Sequence, residues 1–273
     1  MPPRPPVFTR FCAANLLAGL LLGCVGLHPA LAQAPEGRVA DNNRHLWLVY
    51  NGSVRLSERW GVATEAQVRR ASFGRNPQQN LVRAALDYHV TKNLVLSAGY
   101  AYQKSFPYGN FPAAGRSPEN RLYQQVVLRD TDGRVQTQHR YRLEQRWIRR
   151  PNDSDYTYSN RARYQLRLLL PLLGRRLEPG MPYLVASDEL FIGFGNNVRN
   201  NIFDQNRLYG GVGYQASKLL TIEGGYLNQL VQQSSGRVFE HNHTLQLSVV
   251  FNLDLRPGTP APVPAPAVGG ASE

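Results

Sequence analysis

Cysteine is almost missing from the 273-residue chain: Cys12 and Cys24 are the only two, and both fall in its first 24 residues. If that segment is removed on export, the remainder has no disulfide, thiol nucleophile or cysteine-ligated metal site. Long apolar runs are equally scarce. Only the stretch from Phe11 to Leu27 approaches the roughly 20 consecutive apolar residues that a spanning helix needs, which excludes a polytopic helical membrane protein. It does not exclude a membrane barrel, whose strands carry apolar side chains only at alternate positions. Acidic residues are also few, 19 against 31 Lys and Arg, for a formal charge of +12. Such basicity often marks nucleic-acid binding. An exported chain rarely meets nucleic acid, so a membrane or lumenal explanation is preferred.

Export is read from the N-terminus. Arg4 and Arg10 precede the apolar stretch, and Ala30-Leu31-Ala32 follows it with the small-x-small spacing of a cleavage site, the layout of a secretory signal peptide. Cleavage after Ala32 leaves Gln33 first, with 29 basic residues against 19 acidic ones, because the signal holds two arginines and no acid. Leu21-Leu22-Gly23-Cys24 also fits a lipobox that would lipidate Cys24, although a barrel needs no acyl anchor. The expected organisation is a signal peptide over 1–32, a short polar segment over 33–44, a barrel over 45–255 and a tail over 256–273. Proline recurs in that tail at Pro257, Pro260, Pro262, Pro264 and Pro266, which rules out a hydrogen-bonded ladder there.

From His45 to Asp254 hydrophobicity has period two, the signature of antiparallel strands. Trp60, Val62, Thr64, Ala66 and Val68 alternate with Glu65, Gln67 and Arg69; Tyr141, Leu143 and Trp147 with Arg140, Arg142, Glu144 and Arg146; Ala162, Tyr164 and Leu166 with Arg161, Arg163 and Arg167. One face suits lipid and the other water. Candidate strands fall near 45–54, 59–70, 80–90, 93–104, 119–129, 134–149, 157–170, 182–192, 206–215, 218–231 and 240–254. Short turns alternate with longer loops at 71–79, 105–118, 150–156, 193–205 and 232–239, as in outer-membrane barrels; the connection at 171–181 is too long for its slot. The fold expected is therefore an all-β, antiparallel, up-and-down transmembrane barrel. An even strand number closes such a barrel without a parallel seam, so twelve strands are expected, with ten as the alternative. Trp47, Trp60, Trp147, Tyr50 and Tyr100 lie near predicted strand ends and are read as membrane-interface aromatics.

Several strings are familiar. They are Lys92-Asn93-Leu94 leading to Gly99-Tyr100-Ala101-Tyr102, the run from His139 to Trp147, Arg161-Ala162-Arg163-Tyr164, Asp188-Glu189-Leu190-Phe191, and the run from Phe203 to Tyr209. Together they resemble the bacterial family known as domain of unknown function 2490, over about 45–254. The resemblance implies an outer-membrane β-barrel of unassigned function and supplies no catalytic residues. Two departures are Asp188, where Ser or Asn is expected, and the Pro-rich tail after the last strand.

Alternation points Glu65, Arg69, Arg140, Arg142, Glu144, Arg146, Arg161, Arg163, Arg167, Glu189, Arg207 and Glu223 into the barrel. Arg–carboxylate forks could fill it as a structural plug, or an arginine ring could make an anion-favouring constriction. Arg83, Asp87 and His89 share one face of their strand and suit either a lumen or a solvated sheet. The function expected is non-enzymatic, a structural or narrow passive channel role. Partners expected are membrane lipids and lipopolysaccharide, the barrel assembly machinery and small anionic solutes, with no nucleic acid, cofactor or metal. A surface-binding envelope lipoprotein and an outer-membrane lipid hydrolase are the alternatives. The hydrolase would need one of Ser97, Ser105, Ser187 and Ser248 to meet one of His89, His139, His241 and His243. No Gly-x-Ser-x-Gly string occurs, and His241 and His243 supply only half a metal site.

Overall fold

The computed structural model describes residues 37–256, so the expected signal peptide, Cys24 and the tail beyond Arg256 lie outside the described residues. The unit that begins at Val39 is built from strands: β1 (Val39–Arg55), β2 (Trp60–Ala71), β3 (Asn76–His89), β4 (Leu94–Ser105), β5 (Ser117–Asp132), β6 (Val135–Ile148), β7 (Thr157–Pro171), β8 (Met181–Phe194), β9 (Phe203–Gln215), β10 (Leu220–Gln232) and β11 (Val238–Asp254). Each pairs antiparallel with its neighbours in sequence, and β1 closes the barrel against β11.

Among the described residues the count is eleven, neither the twelve nor the ten expected, and the odd number is accommodated by a parallel seam. β1 and β11 run side by side from Val39 opposite Val238 to Arg55 opposite Asp254. Parallel pairing is slightly weaker per residue, and these two strands, at 17 residues each, give the seam length. β1 also starts at Val39 rather than 45. Its polar start belongs in the wall because Asp41 and His45 point into a polar interior, where both are buried.

Alternation sorts every strand into an inward and an outward set. Outward positions expose Leu48, Val82, Leu86, Leu122, Leu143, Leu208, Val212, Ile222 and Leu247, while inward positions bury Arg69, Arg121, Arg142, Glu144, Arg161, Arg163 and Glu189. Four connections at one end are tight. Three of them, at 56–59, 90–93 and 216–219, use one device: Ser57 Oγ accepts the N–H groups of Arg59 (3.4 Å) and Trp60 (3.0 Å), Thr91 Oγ1 those of Asn93 (3.1 Å) and Leu94 (3.0 Å), and Ser217 Oγ those of Leu219 (3.1 Å) and Leu220 (3.0 Å). A hydroxyl that bonds its own backbone two and three residues on pins the turn. In the fourth, Gly133 supplies the positive φ of +60°. The connection at 172–180 is the long one at this turn end.

The opposite, loop end carries the connections at 106–116, 149–156, 195–202 and 233–237. The loop expected at 71–79 is much shorter there. β2 and β3 continue to Ala71 and from Asn76, leaving only the 3-10 turn Ser72–Gly74, with Ser72, Phe73 and Gly74 all at positive φ.

Candidate functional site: the barrel interior

All twelve charged residues expected inside lie on the inward face, and most of them are joined into one network across β5 to β9. Glu144 is fully buried. Its Oε2 accepts Arg161 Nε at 2.9 Å and Nη2 at 2.6 Å, and its Oε1 accepts Arg163 Nη1 at 2.6 Å. Arg163 continues to Glu189 through Nε (3.0 Å) and Nη2 (2.6 Å), and Arg140 Nη2 reaches the same oxygen at 2.6 Å. Arg167 and the Tyr183 hydroxyl, the latter at 2.8 Å, both donate to Glu223 Oε2. Glu65 pairs with Arg83 at 2.6 Å. Charge-assisted forks of this kind are what satisfy buried guanidinium and carboxylate groups together.

Several members carried less signal in the sequence. Glu119 grips Arg121 (2.6 and 2.9 Å) and Arg146 (2.5 and 3.1 Å). The parity of β5, with Glu119, Arg121 and Tyr123 two residues apart, would have placed the first pair. Arg83, noted with Asp87 and His89, is buried inward. Gln78 and Asp204 had no such signal. Among the described strand pairs the register slips at two places: Arg69 faces Gln79 while Arg70 faces Pro77, and Phe191 faces Gln205 while Ile192 faces Phe203. The extra residues are Gln78 and Asp204, and both bulges turn theirs into the lumen. A bulge re-aims a side chain in this way. Asp204 accepts Arg161 Nη1 at 2.6 Å, and Gln78 Oε1 accepts Trp47 Nε1 at 2.9 Å.

Trp47 therefore faces inward, 2% exposed, and is no interface aromatic. It shares the parity of Asp41, His45 and Val49, so the indole lies inside, where Gln78 satisfies its N–H and the Arg69 guanidinium sits 3.9 Å over its ring. With Val49, Tyr183, Val185, Tyr209 and Leu227 it forms an apolar cluster that packs the interior toward the turn end. Trp60, Tyr50 and Tyr100 are exposed on the outer face. Trp60 meets Tyr88 near the turn end, and Trp147, half-buried, meets Tyr158 near the loop end, with ring centroids 4.9 and 5.3 Å apart.

The loop at 106–116 folds over the mouth at the loop end. Tyr108 donates to Glu240 Oε2 at 2.6 Å, Asn110 Nδ2 to Asp41 Oδ1 at 2.7 Å, and Gln233 Nε2 to the Phe111 carbonyl at 3.1 Å. Burial, and then the Glu240 charge beside it, push the Tyr108 phenol well above its ordinary range. Below this lid lies a chamber of about 300 Å³ lined by Arg69, Gln78, Arg83, Arg121, Arg146, Arg161, Arg163, Asp204 and Arg207, among others. A separate mouth of about 600 Å³ at the turn end is lined by Arg55, Asp87, His89, Arg129, Lys218 and Asp254.

The serines and histidines considered for hydrolysis do not come together. His89 Nδ1 lies 2.8 Å from Arg55 Nη1, His139 Nδ1 2.9 Å from the Tyr164 hydroxyl and His243 Nδ1 2.6 Å from the Tyr226 hydroxyl. His139 and His243 stand on the outer face. Ser97, Ser187 and Ser248 are buried on the inner one, and Ser105 accepts from Gln79 and Gln103. Asp188 points outward and accepts Asn206 Nδ2 at 2.6 Å.

The class so defined is an up-and-down barrel, closed by a parallel seam and filled by ion pairs. The model of a protein family of unknown function, DUF2490, matches residues 44–240, and the chain belongs to that family. No curated protein matches it. Among solved structures, the siderophore receptor PirA from Pseudomonas aeruginosa is similar at 13% identity, over 65% of this chain and 32% of the receptor, with a TM-score of 0.27. The chain spans about a third of that receptor's length, and nothing about binding transfers at this likeness.

Proposed function

We propose that the protein is an outer-membrane barrel with a structural role, closed at rest, whose filled interior leaves at most a narrow passive path. The observation that carries this reading is the outer face. Large apolar side chains stand exposed on all eleven strands, far beyond the roughly 300–600 Å² patch usual on a soluble monomer. Outward polar groups within the belt are bonded sideways: Gln124 with Gln145 (3.2 and 3.1 Å), Asp188 with Asn206, His139 with Tyr164, and Tyr226 with His243. Lateral pairing is what hydrocarbon demands of a polar side chain. Trp60 with Tyr88 and Trp147 with Tyr158 mark two interfacial levels. On this reading the belt meets membrane lipids, the loop end meets lipopolysaccharide, and the barrel assembly machinery inserts the chain.

Cell fractionation combined with a gel run before and after boiling tests the reading. Recovery in the outer-membrane fraction with a heat-dependent change in mobility is expected, and a soluble or inner-membrane protein without that change would overturn it. The role within the membrane is checked by planar-bilayer recording. A closed interior gives no steady conductance, whereas an open pore gives steps whose ion preference changes when Arg140 and Arg163 are neutralised.

A further inference from the structure

We propose that the chamber beneath the 106–116 loop binds a small soluble anion of about two charges, one that presents phosphate or carboxylate oxygens. The inference needs the closed barrel and its lid, but not the membrane location.

Charge accounting inside the chamber comes first. Seven arginines line it against two carboxylates, Glu119 and Asp204. Five of the seven are held by carboxylates at 3.1 Å or less. Arg69 and Arg207 are not. Arg69, 5% exposed, donates only to the side-chain amides of Gln67 and Gln79. Arg207 donates one hydrogen bond, from Nε to Gln205 at 3.3 Å, and its nearest carboxylate oxygen, on Glu189, is 3.9 Å from Nη1. Both guanidinium groups lie against the same Trp47 ring, at 3.9 and 5.2 Å. Arg69 has no carboxylate partner and Arg207 only the long contact to Glu189, so this side of the cavity holds positive charge that an entering anion would offset.

Two further observations point into the same space. Arg83 Nε is buried without a partner, an unused donor on the chamber wall. Both bulges of the barrel deliver their extra residue, Gln78 and Asp204, to this lining, and bulges of this kind recur beside functional sites. The ligand class follows from the walls. Guanidinium forks match phosphate and carboxylate oxygens bidentately, the volume is at the small end of ligand cavities, and the two guanidinium groups with no close carboxylate, Arg69 and Arg207, set the charge. Entry is from the loop end, where Tyr108 and Ser117 form part of the rim. The lining is dominated by guanidinium, carboxylate and amide side chains, with only Leu81, Ile148 and Val231 apolar, which does not suit an acyl chain, and the ligand comes from solution.

Calorimetric titration of the purified, folded barrel in non-ionic detergent with inorganic phosphate, pyrophosphate and citrate tests this. Saturable one-site binding of at least one is expected, weakened about tenfold or more by Arg69→Gln or Arg207→Gln, as befits the loss of charge-assisted hydrogen bonds. Glu58→Gln, in a turn at the other end, should leave it unchanged. Each arginine variant removes a cation that no carboxylate holds closely, so its urea midpoint without anion should stay level or rise while the shift produced by anion disappears. That second readout separates lost binding from lost folding. Binding of none of the three anions, affinity in both arginine variants unchanged from the unaltered protein, or saturation only by lipopolysaccharide micelles would overturn the proposal. Heat-dependent gel mobility of the same samples tests the barrel independently.

Discussion

Replacing Glu144 by glutamine removes the one negative charge that holds two arginine side chains from opposite edges of its carboxylate. The side chain is fully buried, with Arg161 at 2.9 and 2.6 Å, Arg163 at 2.6 Å and Arg142 Nη1 at 3.8 Å. Breaking a buried ion pair by removing one partner costs about 3–5 kcal/mol, because the remaining charge stays desolvated. Here Arg161 keeps Asp204 and Arg163 keeps Glu189, which places the loss at the lower end, about 3 kcal/mol. That is a change of roughly a hundredfold in the folding equilibrium. With a urea dependence of about 3 kcal/mol/M, the midpoint should fall by about 1 M. Urea titration of the refolded barrel in detergent, read by gel mobility and by tryptophan emission, measures it. Glu58→Gln is the control. The Glu58 side chain is 80% exposed and its carboxylate meets only Arg256, at 2.9 Å, so its midpoint should not move measurably. If the two variants unfold together, the interior network does not hold the barrel and the reasoning fails.

Other outcomes follow from the same geometry. In vesicles of brominated lipid, single-tryptophan variants retaining Trp60 or Trp147 should be quenched and one retaining Trp47 spared; equal quenching of all three would place Trp47 outside. Gly213→Ala should lower the urea midpoint by the equivalent of about 1–3 kcal/mol of overpacking, since a Cβ there would lie 2.1 Å from the Tyr183 ring; an unchanged midpoint would mean that the ring sits elsewhere. The Tyr108 phenol stays protonated when docked, whereas in an undocked loop it ionises near pH 10. Docking stability is thus complete below about pH 10 and is lost as pH rises further. Cleavage of the 106–116 loop by an alkali-tolerant protease should rise over that range, and Tyr108→Phe should abolish the pH dependence; a flat profile in the unaltered protein would contradict the Tyr108–Glu240 contact.

What the sequence made legible was contrast. Where an ionised residue alternates with an apolar one, as in β2, β6 and β7, the two solvents of the wall differ so sharply that a shift of one residue would reverse every side chain. Direction could therefore be read for Glu144, Arg161 and Arg163 before any coordinates. β1 lacks that contrast. Asp41, Asn42, Asn43 and Arg44 are polar on both faces, so its start reads as a short polar segment ahead of the barrel, and Trp47 carries no polarity of its own to separate a wet interior from an interface. Strand number depended on an evenness rule that a parallel seam escapes. The bulges at Gln78 and Asp204 break the very alternation used to read the rest, and so the chamber they help to build was invisible in the string of residues.

The unlike directions of the first and last neighbours' usual arrangement are absent at the seam, where β1 and β11 travel together. An even barrel returns its chain to the side from which it set out; this one does not. Across a bilayer, a peptide tag joined just ahead of Val39 and another joined after Arg256 would report to different compartments, so a single pair of antibodies on intact and permeabilised cells could read the orientation of the whole molecule. The barrel also cannot be cut into a whole number of hairpins, which leaves one strand to be added singly, whatever order the ten others follow.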